Sequence, residues 1–256
     1  MSYKPFIIHW LKDQLAEFGR ITIMFYNAVR LSVIPPLRFR NCIKQMEFVG
    51  VKSFSIVMFT GIFTGAVLAL HGYETFSMIN METMVGGTVA VAMAREMGPV
   101  LASIMVVARA GSAMAAELGT MRVTEQIDAL ITMSINPVKY LVVPRLVAGI
   151  TMMPILASIF SLTGFAGSYF VGVKLLGINS GLFMANVTEI VNLEDYTNGM
   201  IKSVVFGLLL TLIACFHGFN ARGGAEGVGK ATNKAVVTGC VSIVVADYFL
   251  SALMFG

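Results

Sequence analysis

Residues 83–111 read TMVGGTVAVAMAREMGPVLASIMVVARAG, and this stretch decides the fold. Its only ionisable side chains are Arg95, Glu96 and Arg109. As a helix it is long enough to cross about 30 Å of hydrocarbon, which places Arg95 and Glu96 near the midplane. A charge at that depth costs roughly 2.5–3.5 kcal/mol and is tolerated beside a wet cavity or another charge. The pair therefore predicts a functional site inside the membrane.

The dipeptide Gly98-Pro99 follows this pair directly. Proline removes a backbone donor and kinks or breaks a helix. Broken helices at mid-depth are a recurring way for transporters to form a substrate site. We therefore predict a helix break at Gly98 and Pro99.

The composition of the whole chain is that of a polytopic all-α membrane protein. The 256 residues are 57% hydrophobic and 12% charged, with a mean hydropathy of +0.81, whereas soluble proteins carry about 25% charged residues. The net charge is +4, but the basic residues form no patch interleaved with aromatic residues, which argues against nucleic-acid binding. Three scattered cysteines and three scattered histidines suggest neither a disulfide framework nor a metal site.

The chain divides into an N-terminal interfacial region, residues 1–50, and a five-span domain, residues 51–256. An amphipathic helix over residues 5–33 is expected to lie in the interface, with Trp10 as its anchor and Pro35-Pro36 as its end. The predicted spans are Phe54–Tyr73, Thr83–Gly111, Tyr140–Val173, Met200–Phe219 and Ala235–Phe255.

The charges between the spans predict the orientation. With the N-terminus in the cytoplasm, nearly all lysines and arginines fall on the cytoplasmic side, and only Lys174 and Lys202 fall on the other. The C-terminus is then periplasmic. Asp13 and Glu17 interrupt the N-terminal region, which resembles neither a signal peptide nor a transit peptide and favours a bacterial inner membrane.

Arg95 and Glu96 point about 100° apart on a helix, so they need not pair with each other. One side chain can face a partner helix and the other a cavity. For an amphiphilic substrate, Arg95 would attract an anionic headgroup, and Leu70, Tyr73 and Met97 would offer apolar contact. The alternative is a structural charge pair at a helix break.

A second constellation lies in the connection over residues 115–137, on the predicted cytoplasmic side. It contains Glu117, Arg122, Glu125, Gln126 and Asp128. Thr124 is predicted to cap a short amphipathic helix there. That helix is either a docking element for a soluble partner or a surface helix lying on the membrane, and the residues do not decide between the two.

The segment Gly223–Thr232 nearly matches the phosphate-binding loop G-x-x-x-x-G-K-[ST], but Ala231 stands where a magnesium ligand belongs. It follows a membrane span rather than a buried strand. We therefore interpret it as a flexible cytoplasmic loop and assign no nucleotide site and no catalytic residue to this chain. Asp247, in the fifth span, is expected to bond a neighbouring helix, with a proton-relay role as the alternative.

Several stretches together resemble the MlaE/YrbE family of ABC-transporter permeases. The matching stretches are residues 70–73, 95–100, 108–113, 115–130, 136–137, 144–145 and 223–232, in family order. The loop with Glu125 and Gln126 is the most specific of them. At the pocket, His71 replaces the glutamine of some relatives.

The resemblance implies a homodimer at the centre of a phospholipid transporter. A cytoplasmic ABC ATPase dimer, which binds ATP and Mg, would sit beneath it with a STAS-domain protein, and an MCE-domain hexamer would sit on the periplasmic face. The family's lipid pocket maps onto Leu70, Tyr73, Arg95 and Glu96. The segment Glu117–Leu130 would be the coupling helix. The expected function is phospholipid transport that maintains outer-membrane lipid asymmetry in a Gram-negative bacterium.

Two rival functions remain open at this point. The first is an ion-coupled secondary transporter that uses Arg95, Glu96 and Asp247 as a relay. The second is a non-transporting membrane scaffold for MCE proteins.

Overall fold

A computed structural model describes residues 4–33 and 39–255, and within these ranges the chain is helical with no strand. We number eight helices in chain order. They are α1 Lys4–Val33, α2 Phe39–Ser77, α3 Glu82–Val123, α4 Gln126–Thr132, α5 Val138–Leu175, α6 Ser180–Ile190, α7 Leu193–Phe219 and α8 Gly224–Phe255.

The five predicted spans are confirmed as α2, α3, α5, α7 and α8, which are long and apolar enough to cross a membrane. Four of them are clearly longer than the apolar runs in the sequence. Helix α3 continues to Val123 rather than ending at Gly111, and α7 begins at Leu193 rather than Met200. The apolar pattern marks only the part of a helix that can contact hydrocarbon, so polar end turns are missed.

Short connections make consecutive spans run in opposite directions, so the bundle has two ends. We call them the Leu193 end, which also carries Ser77, Glu82 and Leu175, and the Phe219 end, which also carries Val123 and Val138. Helix α4 lies between α3 and α5 at the Phe219 end. Helix α6 lies at the Leu193 end and packs on the first turns of α3.

Close helix contacts are made through small residues. Helix α2 packs along α5, and a Cβ added to Gly65 would overlap the backbone of Gly164. Helix α7 packs against α5 through Gly149 and Gly207, where a Cβ on either would meet the backbone of the other. Such positions let backbones approach in the absence of a strong hydrophobic driving force.

Helix α7 is the most buried of the five spans and α8 the least: 67% of the apolar window of α7 is buried, against 11% for α8. Large side chains such as Tyr248 and Phe249 on α8 are exposed. In a membrane these faces meet lipid or another protein chain. Helix α7 therefore forms the interior of the bundle, and functional side chains on it are shielded.

Helix α1 packs against the Phe219 end, where Ala28 is buried beside Leu141 and Leu146. Leu15, Phe18 and Ile23 of the same helix are exposed. The predicted anchor, the side chain of Trp10, and the predicted stop, Pro35-Pro36, lie outside the residues that the structure describes.

Candidate functional site

The helix of the second span is not broken at Gly98-Pro99, which corrects the prediction. It widens into a π-helical turn over Met93–Met97 and continues as α-helix from Gly98 to Val106. Gly98 has ordinary right-handed helical dihedrals. Proline has no backbone N–H to donate to the carbonyl four residues earlier. The wider turn accommodates this missing hydrogen bond without ending the helix. Such π turns are frequent at functional sites.

Arg95 and Glu96 both contact α7 but pair with different residues on it. The Nε of Arg95 lies 3.2 Å from Oδ1 of Asp195. Asp195 is buried in the first turn of α7, where its carboxylate also accepts from the backbone N–H of Asn192. The Arg95 side chain is 37% exposed. It therefore keeps an accessible face while one edge is held by a carboxylate.

Glu96 belongs to a cluster of four polar side chains centred on Lys202. The Nζ of Lys202 donates to Oε2 of Glu96 at 2.5 Å and to Oγ of Ser251 at 2.7 Å. It also lies 3.1 Å from Oδ1 of Asp247. The Lys202 side chain is 0% exposed, whereas Glu96 is 32% exposed. A fully buried ammonium requires such compensation, because removing an ion from water costs several kcal/mol.

Two glycines allow these charges to meet. A Cβ added to Gly199, between Asp195 and Lys202 on α7, would overlap the carbonyl oxygen of Ala94. A Cβ added to Gly98 would collide with the hydroxyl of Ser161, which already donates to the carbonyl of Met93 at 2.8 Å. The backbones of α3, α5 and α7 therefore lie in direct contact at the level of the π turn.

The cluster lies nearer the Leu193 end than the Phe219 end of the helices that carry it. Lys202 is nine residues from Leu193 but seventeen from Phe219. Ser251 is four residues from the end of α8. Arg95 is thirteen residues from Glu82 and twenty-eight from Val123. The prediction centred the second span on its apolar run, but the helix extends much further toward the Phe219 end.

The predicted apolar lining is split along the bundle axis. Met97 is exposed beside the charged pair, and Leu70 is exposed on α2. Tyr73 is half-buried against the main core, and its neighbour Gly72 lies beside Val85. Val85 precedes Arg95 by ten residues on the same helix, a rise of roughly 15 Å. Within one protomer, Tyr73 therefore lies at a different depth from the charges.

The second constellation is divided between two helices rather than carried by one. Glu117 and Arg122 lie on the last turns of α3, and Gln126 and Asp128 lie on α4. Arg122 donates to Asp128 at 2.6 Å and so joins the two helices. Glu117 accepts from the buried Arg145 of α5 at 2.7 Å, so its carboxylate is engaged within its own chain.

The predicted cap of the short helix is wrong by one residue. Thr124 ends α3, and its hydroxyl donates back to the carbonyl of Thr120 at 2.8 Å. Glu125 precedes α4 in a left-handed conformation with a φ of 59° and gives no side-chain cap. Thr124 is therefore the end of α3, and Glu125 has the positive φ that often follows a helix end. The sequence alone does not specify this geometry.

The segment Gly223–Thr232 is not the flexible loop that we predicted. From Gly224 onward it forms the first turns of α8, and Thr232 donates to the carbonyl of Val228 at 2.8 Å. Its glycines are compatible with a helix whose start has positive φ at Gly223 and Gly224. The strand–loop–helix context of a nucleotide loop is not present in this segment.

Asp195 and Lys202 are site residues that were not predicted from the sequence. Lys202 was counted among the charges of the non-cytoplasmic side, near the start of the fourth span, yet its side chain is wholly buried. The available signal was the lysine inside the helix: with Asp195 seven residues earlier, it lies on the same helical face. Asp247 bonds a neighbouring helix, as predicted, through Lys202.

Comparison with known proteins agrees with this architecture. The family model described as Permease MlaE matches residues 42–253. A "Probable ABC transporter permease protein" of Rickettsia bellii is 41% identical over 93% of this chain and 92% of its own length. The "Intermembrane phospholipid transport system permease protein MlaE" of Haemophilus influenzae is 37% identical over 95% of this chain and 94% of its own.

A plant protein is also similar. "Protein TRIGALACTOSYLDIACYLGLYCEROL 1, chloroplastic" of Arabidopsis thaliana is 36% identical over 86% of this chain, which spans 63% of that relative's length. The resemblance inferred from the motifs is thus confirmed over nearly the whole chain. With its five apolar helices and this match, the chain belongs to the MlaE family of ABC-transporter permeases.

Proposed function

We propose that the chain is the membrane subunit of an ABC-type transporter that moves phospholipids between the inner membrane and carriers directed to the outer membrane, and so maintains outer-membrane lipid asymmetry. The name of the Haemophilus influenzae relative supports the substrate class. The observation that carries the proposal is a half-exposed arginine, Arg95, beside a buried ion cluster in a membrane helix. That arrangement suits an anionic headgroup with apolar tails.

The lipid site that we propose is lined by Leu70, Tyr73, Arg95, Glu96 and Met97. Arg95 binds the phosphate, since guanidinium groups bind phosphate through a planar fork of donors. The roughly 15 Å between the levels of Arg95 and Tyr73 is about half the hydrocarbon thickness, which is the reach of one acyl chain. At the level of Arg95, the wall of this lipid site is formed by the uninterrupted π-helical turn of α3 rather than by the predicted helix break.

We further propose that a second copy of the chain completes the site and forms a homodimer. The five spans then act as one domain, residues 51–256, and residues 1–50 as an interfacial region. The Phe219 end faces the cytoplasm of a Gram-negative bacterium with the N-terminus, and the Leu193 end and C-terminus face the periplasm. This orientation follows the positive-inside rule, because Arg122, Lys139 and Arg222 lie at the Phe219 end.

Helix α4 is the proposed coupling helix, with Glu125, Gln126 and Asp128 as contacts and Arg122 holding it to α3. A cytoplasmic ATPase dimer would bind ATP and Mg and press on α4, with a STAS-domain protein alongside and an MCE-domain hexamer at the periplasmic face. The chain itself performs no hydrolysis. Its mechanism is conformational: displacement of α4 reaches the lipid site through the continuous helix α3, which carries both Arg95 and Arg122.

The test is ATP-dependent transfer of fluorescent phospholipid from proteoliposomes that contain the chain and its ATPase, compared with a hydrolysis-deficient ATPase. Transfer that needs active ATPase supports the proposal, and transfer indifferent to hydrolysis contradicts it. Native mass spectrometry of the chain alone is expected to show bound phospholipid. The scaffold alternative predicts that Glu96→Ala leaves lipid transfer unchanged, whereas we expect a clear loss.

A second candidate function, ion-coupled transport, is favoured by the contact of three ionisable groups, Glu96, Lys202 and Asp247. Buried titratable clusters of this kind form proton relays in transporters. This alternative predicts transport driven by an ion gradient in liposomes that hold the chain alone. Our proposal predicts no transport there.

A further inference from the structure

A second polar site lies at the Phe219 end, away from the cluster around Lys202. It is a pocket of about 340 Å³ between α1, the end of α7 and the start of α8. Glu17 and Arg20 line it from α1, His217 from α7, and Arg222, Lys230 and Lys234 from the last connection and helix. The segment that nearly matches a nucleotide-binding loop thus forms one wall of this pocket.

The pocket is strongly basic. Four cationic side chains, Arg20, Arg222, Lys230 and Lys234, line it against the single carboxylate of Glu17, which gives a formal charge of 4 − 1 = +3 with His217 neutral. The Nζ of Lys234 donates to both carboxylate oxygens of Glu17, each at 2.7 Å. Lys230 pairs with Glu226 on the exposed rim. Arg222 is exposed and makes no ion pair with the residues that the structure describes.

His217 lines the inner side of the pocket from the end of α7. It is 5% exposed, and its Nε2 has no hydrogen-bond partner among the described residues. Its Nδ1 lies 3.7 Å from Oε1 of Glu17.

An apolar groove of about 470 Å³ adjoins this pocket and shares Glu17 and Lys234 with it. Leu15, Phe18 and Ile21 line the groove from α1, and Leu209, Leu212 and Ile213 line it from α7. The basic pocket and the apolar groove are therefore neighbours, with the Glu17–Lys234 ion pair at their junction. The first accommodates a phosphate and the second an acyl chain.

We propose that the basic pocket and the adjoining groove together bind an anionic glycerophospholipid of the leaflet at the Phe219 end, with its phosphate on Arg222 and Lys230 and one acyl chain between α1 and α7. Charge complementarity selects an anionic headgroup, and the groove distinguishes a lipid from free phosphate. The bound lipid joins α1 to the spans. This site is separate from the proposed transport site near Arg95 and does not depend on it.

The test uses the full chain, in the complex with which it copurifies, reconstituted in phosphatidylcholine nanodiscs. Trace phosphatidylglycerol with a diazirine-bearing tail is photoactivated, and the labelled residues are mapped by mass spectrometry. We expect labels within residues 15–21 and 209–242, at least fivefold stronger than with the same probe on phosphatidylcholine. Labels near residues 95–97 serve as an internal reference for the transport site.

Two variants separate headgroup from tail. Arg222→Ala with Lys230→Ala removes the phosphate contacts, and Thr238→Trp fills the groove that Thr238 lines. Each is expected to reduce labelling of these segments at least fivefold. Lys44→Ala with Lys52→Ala removes two exposed charges from the same end, outside the site, and leaves labelling unchanged.

Three results would overturn the proposal. Equal labelling by the two headgroups, or no loss in the double alanine variant, shows a groove without anion selection. Protection by added inorganic phosphate together with normal labelling in Thr238→Trp shows a free-anion site. Labels absent from both segments, while residues 95–97 are labelled, show that no lipid occupies the site.

Discussion

The ammonium of Lys202 lies 3.1 Å from the carboxylate of Asp247 and thereby joins the fourth span to the fifth. The same ammonium bonds Glu96 on the second span. Three membrane helices thus meet at one buried cation. This ionic contact thus joins α8, the least buried of the five spans, to α3 and α7 toward the Leu193 end.

Lys202→Met is expected to destabilise the chain by about 3 kcal/mol, because it leaves two partly buried carboxylates facing each other. The two carboxylates retain some exposure, which keeps the cost toward the lower end for a broken buried pair. Thermal denaturation in detergent, followed by size-exclusion chromatography, measures the loss.

Neutralising the partners as well, in Lys202→Met with Glu96→Gln and Asp247→Asn, is expected to recover most of that stability. Lys174→Met, at an exposed position near the same end, serves as the matched control. If the triple variant is no more stable than the single one, the ionic account of this contact is wrong.

The five spans and the presence of a charged pair inside the second span were readable from the sequence because both rest on local composition. An apolar run of the right length has few alternatives to a membrane helix, and a charge inside it stands out. Tertiary contacts were not readable in this way. Nothing in one sequence states that Arg95 faces Asp195 and Glu96 faces Lys202, since those pairs lie about a hundred residues apart.

Errors arose where helix geometry departs from the ideal. A Gly-Pro pair normally breaks a helix. Here a π-helical turn over Met93–Met97 accommodates the missing backbone N–H of Pro99, and the helix continues. Glu117 was predicted to contact the ATPase, and its contact with Arg145 of α5, which leaves its side chain 52% exposed, was not predicted. Both outcomes depend on neighbouring helices that the local pattern does not encode.

Arg95→Glu is expected to reduce copurified phospholipid at least tenfold and also to lower stability, because it sets a second carboxylate against the buried Asp195. Native mass spectrometry measures the lipid, and a melting curve measures stability. Swapping both charges, Arg95→Asp with Asp195→Arg, preserves an ion pair but moves the cation to α7. Full lipid binding in Arg95→Glu would rule out a headgroup role for Arg95.

Gly65→Ala is expected to destabilise the bundle by about 2 kcal/mol or more, since the new Cβ would overlap the backbone of Gly164 and force α2 from α5. Gly229→Ala is the matched control. A Cβ at Gly229 meets nothing within 4 Å, and its helix gains up to about 1 kcal/mol from alanine. Equal melting temperatures for the two variants would contradict the close α2–α5 contact.

Asp128→Arg is expected to reduce stimulated ATP hydrolysis at least fivefold in the complex with the proposed ATPase subunits. It places a second cation against Arg122 and removes the bond that holds α4 to α3. The paired swap, Arg122→Asp with Asp128→Arg, restores that bond with the charges reversed. If α4 acts through its position, the swap recovers most of the stimulation, and phosphate release measures it.

Glu117→Gln is the companion variant, because it weakens the contact with Arg145 at the end of α3 without touching α4. It should lower the melting temperature yet leave hydrolysis per folded complex near the original value. Normal stimulation in Asp128→Arg would show that α4 does not transmit the stroke, and the coupling role would then have to be sought elsewhere on the Phe219 end.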